Sequence, residues 1–146
     1  MAVSVAVVNA HRRYRINRKR AAAWVRRVLR NEGRSGAMVS VVVIDNRQMR
    51  RLNRTYLGHD YPTDVIAFPL EEGKRIEGEI YVNADRARIQ ARRYRVSFNE
   101  EVARLVIHGT LHLAGYDDTT RRASAVMKEA EDRELGQWFD SQKGRK

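Results

Sequence analysis

The sequence predicts an α/β (α+β) fold in which a small mixed sheet of about four strands is packed by about five helices, with a metal site at the end of the central helix. Three observations predict it. Two β-branched apolar runs, 3–8 (VSVAVV) and 37–45 (AMVSVVVID), flank a stretch whose apolar residues recur at helical spacing. Two shorter strand-like runs, 64–68 and 78–82, are separated by a polar loop. A long amphipathic stretch then closes on His108-Gly-Thr-Leu-His112-Leu-Ala-Gly115.

In chain order, residues 3–8 form the first strand. After the basic turn His11 to Arg15, Asn17 can cap a helix running to about Asn31, with Gly33 as its stop. Ala21, Ala22, Val25, Val28 and Leu29 make its inner face. Lys19, Arg20, Arg26, Arg27 and Arg30 populate the other sides, either as solvated surface or as part of a phosphate-binding patch. Residues 37–45 are the nearly continuous apolar run that a sheet covered on one or both faces requires. Strand, helix, strand at this length suggests a right-handed crossover joining parallel neighbours. Asn46 can cap a second short helix with Met49, Leu52 and Tyr56 on its buried side. Gly58 to Pro62 is a turn-rich connection into the strand Asp64 to Phe68, stopped by Pro69. The polar loop 71–75 leads to Gly78–Val82, and a hairpin is the simplest way to join these two strands. Asp85 to Tyr94 reads as a third, basic helix.

Ser97 and Glu100 make a capping box that opens the central helix. Its core stripe is Val102, Leu105, Val106, Gly109 and Leu113. His108 and His112 fall roughly 100° to one side by helical geometry, at the border between core and surface. Thr119 or Thr120 can cap a last helix carrying Ala123, Val126, Met127, Ala130 and Trp138, and residues 142–146 form a loose basic tail. With no repeat, linker or low-complexity block, residues 1–146 read as one domain.

Composition narrows the function classes. The chain has no cysteine, so disulfides and thiolate metal sites are excluded, and a metal must be held by His, Asp or Glu. Ala2 to Val8 has neither basic residues before it nor a small-residue cleavage pattern after it, and nothing approaches a membrane-spanning length; a soluble, cytoplasmic protein is expected. Twenty-nine Lys and Arg against 18 Asp and Glu give a formal net charge of +11, which attracts polyanions, nucleic acid foremost.

His108 and His112 are four apart and share one helical face, so both imidazoles can reach a single cation. Gly115 supplies the left-handed residue that ends the helix and turns the chain back, bringing Asp118 into play as a third ligand. Three nitrogen and oxygen ligands with a fourth position left to water describe a catalytic zinc more than a structural one. The alternative is that the histidines merely edge the core; the glycine turn and the carboxylate beyond it favour the cation. Hydrolysis by metal-bound water is the default chemistry. Metzincin proteases share the ten-residue span and the glycine but carry a general-base Glu directly after the first His, where this chain has Gly109. That weakens the protease reading, and the basic charge favours a phosphodiester.

The order and spacing of His108-Gly-x-Leu-His112-Leu-x-Gly115-Tyr116-Asp117, Leu52-Asn53, Pro62-Thr63-Asp64-Val65-x-x-Phe68-Pro69 and Gly78-Glu79-Ile80 resemble the YbeY family of bacterial ribosomal RNA maturation factors over roughly residues 38–135. The resemblance implies a zinc-dependent, single-strand-directed endoribonuclease. It implies action on ribosomal RNA of the small subunit, especially the 3′ end of 16S rRNA, and a part in ribosome quality control. Its register puts the metal on His108, His112 and Asp118, with Asp117 the rival for the third place. Asp118 stands where the family usually has a histidine, and Leu57 where it usually has an arginine thought to lie in the cleft. His59 or a base from the Arg-rich helices could replace that arginine. Thr63 and Asp64 are candidate cleft residues, though Asp64 could simply cap a turn. Asn53 could bond locally or contact substrate, Tyr116 could stack on a base or cover core, and Glu79 could face cleft or solvent. No residue is marked as general base. The competing class is an RNA-binding or ribosome-assembly factor whose metal is structural.

Overall fold

The computed structural model describes residues 2–71 and 75–139. Most of the expected polar loop and the expected basic tail at 142–146 lie outside the described residues. Four strands, β1 (Val3–Asn9), β2 (Ala37–Ile44), β3 (Val65–Glu71) and β4 (Ile76–Asn83), form one mixed sheet in the order β1-β2-β4-β3. β1, β2 and β4 run parallel, with Val5 opposite Val39 and Val41 opposite Ile80, while β3 pairs antiparallel to β4 as the expected hairpin. Five α-helices pack on it: α1 (Arg18–Asn31), α2 (Asn46–Leu52), α3 (Ala84–Tyr94), α4 (Phe98–Leu113) and α5 (Arg121–Leu135).

The alternation along β2 explains the layers. Ala37, Val39, Val41 and Val43 are buried while Met38 is half exposed, so one face carries the main core. That face meets α1, α3 and α4, with α5 laid against α4, through Val25, Val28, Leu29, Leu105, Val106 and Met127. Among the described residues the other face is covered at one end, where α2 sets Met49 against Ile44 and Ile66.

α4 is the central element, bordered by α1, α3, α5, β3 and β4. Ser97 opens it by accepting the Glu100 N–H at 3.0 Å. Gly109 lets it lie close on the sheet: a Cβ there would stand 2.7 Å from Ile80 Cγ2 of β4. The helix ends as the glycine anticipates. Gly115 adopts φ +112°, and the Tyr116 N–H reaches back to Leu111 O at 3.0 Å. Arg34, from the turn after α1, donates to Ala114 O at 2.9 Å and closes the same end.

Several expectations need correction. α2 is capped by Asp45, not Asn46: the Asp45 side chain accepts the Gln48 N–H at 2.8 Å and Gln48 answers to the Asp45 N–H, while the Asn46 side chain accepts from Asn83 instead. After Leu52 the helix widens into a π-helical turn, Asn53–Leu57. The extra residue per turn shifts the phase of the buried face, so Tyr56 is 66% exposed rather than buried. Pro69 does not stop β3, which continues to Glu71; an edge strand tolerates a missing N–H, and the register shifts between Pro69 and Glu71. α3 begins at Ala84, capped by Asn83, one residue earlier than expected. Leu113 is only partly buried and Val126 is exposed. α5 is capped by Thr120 and ends at Leu135, so Trp138 packs on the core from the turn beyond it.

Candidate active site

A cleft of about 490 Å³ opens between the C-terminal half of α4 and the edge strand β3. His108, Gly109 and His112 of α4 and Asp118 from the loop before α5 line one wall. Leu57, His59 and Tyr61, from the π-helical turn and the connection after it, line another, with Thr63 and the strand Val65–Pro69 between. The structure therefore gathers His108, His112, Asp118 and Thr63 around one space. Asp64 is not among the lining residues and lies in the hydrogen-bond network behind them.

His108 is half-buried and held from behind. Its Nδ1 lies 2.5 Å from Glu131 Oε2 on α5. An Nδ1–H donated to that carboxylate leaves the Nε2 lone pair for another partner, the arrangement that orients a metal-binding imidazole. Burial alone would push the His108 imidazole down. The hydrogen bond and charge of Glu131, joined by the charges of Asp118 and Asp64, instead hold it above the usual histidine range. Behind Glu131 the network continues. Arg104 lies 3.6 Å from Glu131 and donates to both oxygens of buried Glu101 at 3.0 and 2.6 Å; Gln90 of α3 donates to Glu101 at 2.7 Å and to Asp64 at 3.3 Å. Such a chain satisfies carboxylates that burial would otherwise penalise. It also ties α3, α4 and α5 to the segment that carries Thr63.

Asp117 and Asp118 part company. The Asp117 carboxylate accepts from the N–H and the hydroxyl of Thr119 at 3.1 and 2.9 Å, a local turn. Those hydrogen bonds hold the Asp117 carboxyl below the usual range. Asp118 lines the cleft. Two imidazoles and a carboxylate make a donor set suited to zinc, and the backing of His108 by Glu131 fits that use. Among the described residues no three His, Asp or Glu side chains converge closely enough to hold a cation as they stand, so the three share the cleft without forming a closed cage.

Of the remaining candidates, Tyr116 and Glu79 fall outside the cleft, while Asn53 and Leu57 line it. Tyr116 turns away and donates its hydroxyl to Glu32 at 3.1 Å, the core-covering alternative. Glu79 lies on the far face of the sheet, accepting from Tyr81 at 3.0 Å. Asn53 is buried and donates to Tyr61 O at 2.7 Å, fixing the loop that carries His59 and Tyr61. Leu57 is 47% exposed in the cleft. Sequence reasoning missed Glu131. The available signal is an acid at 131 beside the core positions Met127 and Ala130 of the same helix, where an unpaired carboxylate would be costly.

Comparison with known proteins supplies the family. The profile described as Endoribonuclease YbeY matches residues 6–138. The chain is 43% identical over 111 residues to the Endoribonuclease YbeY of Chlorobium phaeovibrioides, covering 76% of this chain and 75% of that one. It is 43% identical over 120 residues to that of Chlorobium chlorochromatii, covering 82% and 77%. A solution structure of a protein from Thermotoga maritima superposes with a TM-score of 0.67 at 28% identity, over 92% of this chain and 91% of that one. The profile match spans β1 through the turn after α5, and so includes α4, the cleft and the network behind it: the chain belongs to the YbeY endoribonuclease family.

Proposed function

We propose that the protein is a zinc-dependent endoribonuclease that cleaves single-stranded RNA, acting in maturation of the 3′ end of small-subunit ribosomal RNA and in ribosome quality control, in the cytoplasm. Family membership supports the endoribonuclease chemistry. The observation that carries the zinc dependence is the sharing of one cleft by His108, His112 and Asp118, with His108 aimed by Glu131, while the ribosomal substrate follows from the family resemblance. These three side chains would hold the cation. A zinc held there would supply Lewis acidity to the phosphoryl group and would activate water as the nucleophile.

The chain's own residues bind and orient the strand. His59 and Tyr61, with ring centroids 5.3 Å apart, put an aromatic surface in the same cleft as the histidines. A base can stack there only if it is unpaired, which favours single-stranded substrate. Thr63 presents a hydroxyl beside the cleft, and the +11 charge attracts the RNA backbone of the small ribosomal subunit. Leu57 lacks the phosphate contact that the family's usual arginine would make, which favours a second reading, an RNA-binding assembly factor with a structural metal.

One experiment separates the two. Zinc content by elemental analysis is compared between wild type and His112→Ala, with cleavage of a single-stranded RNA followed on the same preparations. About one zinc per chain, lost together with cleavage in the variant while RNA affinity and circular dichroism persist, is the expected result. Cleavage surviving zinc removal would overturn the zinc-dependent mechanism, and a zinc-loaded wild type without cleavage would favour the assembly factor.

A further inference from the structure

The C-terminal end of α1 carries a second cluster of cations that the cleft does not use. Arg26 and Arg30 stand one turn apart and Arg34 follows the Gly33 turn; with Val3, Gly33 and Ser35 they line a hollow of about 490 Å³ that shares no lining residue with the cleft. Among the described residues no carboxylate lines the hollow. Glu32, lying between the arginines in sequence, turns away to accept the Tyr116 hydroxyl at 3.1 Å. Partly buried Arg104 meets Glu101, and exposed Arg50 meets Asp60. Here three arginine side chains line a common space with no acid among the described residues of its lining, the Arg34 guanidinium also reaching Ala114 O. Cations four apart on a helix repel each other, and a helix C-terminus offsets that only in part. An anion from outside is the missing partner.

The guanidinium fork matches the paired oxygens of a phosphate. We propose that this hollow is a second phosphate-binding site, holding a backbone phosphate of a bound RNA strand away from the cleft. The assignment to RNA rests on the endoribonuclease reading of the cleft and on the +11 charge. Arg34 gives the hollow a mechanical link to the cleft, because its Nη2 donates to Ala114 O at 2.9 Å, at the head of the loop that bears Asp118. A strand gripped at the hollow therefore meets the same turn that presents the proposed ligand.

The test is the salt dependence of binding of a fluorescein-labelled single-stranded oligoribonucleotide about 25 residues long, by anisotropy. Wild type is compared with Arg26→Ala/Arg30→Ala and with Arg92→Ala/Arg93→Ala, a pair of exposed arginines on α3 whose loss changes net charge equally. Arg34 is left intact because it also caps α4. Loss of two phosphate contacts lowers the slope of log affinity against log salt by about 1.4 for a single strand. We expect that drop, with a several-fold weaker affinity, in the α1 variant, and less than half of it in the α3 variant. An unchanged slope in the α1 variant, or an equal fall in both, would overturn the site. Cleavage of the same RNA in the same preparations separates the two readings: a wild type that binds and cleaves while the α1 variant keeps its slope removes only the hollow. A wild type that neither binds nor cleaves removes both.

Discussion

The two walls of the cleft are built by different means. The α4 wall stands on buried structure. His108 is backed by Glu131, Glu131 by Arg104, and Arg104 by Glu101, which is 1% exposed; the helix itself sits on β4 through Gly109. The opposite wall hangs from a loop. His59 and Tyr61 are placed by the Asn53 side chain and carbonyl and by the exposed pair of Arg50 on α2 with Asp60, at 2.9 Å. A residue whose hydrogen bonds are shielded from water is expensive to disturb, whereas an exposed pair contributes little. The α4 wall should therefore couple function to stability, and the loop wall should let the two change independently.

Glu131→Ala tests the first half at its strongest point. It leaves partly buried Arg104 and His108 without their shared acid and should lower stability by about 3 kcal/mol, read from the urea midpoint. It also frees His108 to rotate, and the proposed zinc affinity should fall about 10–100-fold. Glu131→Gln keeps an acceptor and should recover part of both. A midpoint equal to wild type in the alanine variant would show that the buried network does not hold this wall.

Gly109→Ala probes the same wall by packing. The new Cβ meets Ile80 Cγ2, which is branched at the strand and cannot swing aside. Overpacking of about 1–3 kcal/mol outweighs the roughly 1 kcal/mol of helix propensity gained, for a net loss of about 1 kcal/mol. Ile80→Ala should be less damaging in the Gly109→Ala background than in wild type, and additive effects in that cycle would place the helix farther from β4 than the structure does.

How far this contrast was legible in the sequence follows from the range of the interactions. The α4 wall announces itself locally: Ser97 at the cap, histidines four apart, and a glycine that reaches φ +112° all act within a turn or two of their neighbours. The strands follow from β-branched runs, and β3 and β4 from the polar loop between them. What could not be read is the backing. Glu131 reaches His108 across 23 residues through the packing of α5 on α4, and Gly109 is defined by a strand that precedes it by nearly thirty positions. The loop wall departs from its sequence for a different reason. A π-helical turn has no periodic signature in its residues, so ordinary helical phase places Tyr56 inside, and Asp45 takes the capping position expected of Asn46 through a reciprocal bond from Gln48. The preference for Asp118 over Asp117 came from family resemblance; the structure adds that Thr119 occupies the Asp117 carboxylate.

The loop wall should behave in the opposite way. Tyr61 is 53% exposed, so Tyr61→Ala should leave the urea midpoint unchanged while weakening single-stranded RNA binding by about 1 kcal/mol for the loss of one stacked base. Duplex RNA of the same length should be bound equally by variant and wild type. A parallel loss of stability would mean that the loop is part of the core's cooperative unit and that the two walls are not independent.

The smallest expected effect lies at Asp60. The hydrogen bond from Arg50 holds its carboxyl below the ordinary value of 3.8, against the opposing pull of desolvation and with help from the charges of Arg50 and Arg54. A depressed carboxyl contributes whatever it contributes above the unfolded value, and that contribution disappears as pH falls through the lower folded value. At neutral pH the pair is intact but fully exposed to screening, so Asp60→Asn should leave global unfolding within experimental scatter. The local consequence is measurable all the same. The variant at pH 7 and the wild type taken below its Asp60 titration should show the same shift in the Tyr61 ring resonances, and raising salt at pH 7 should move wild type part of the way there. Ring resonances that ignore Asp60, pH and salt together would mean that Asn53 alone holds the loop, and the loop wall would then be anchored, like its neighbour, from a buried side chain.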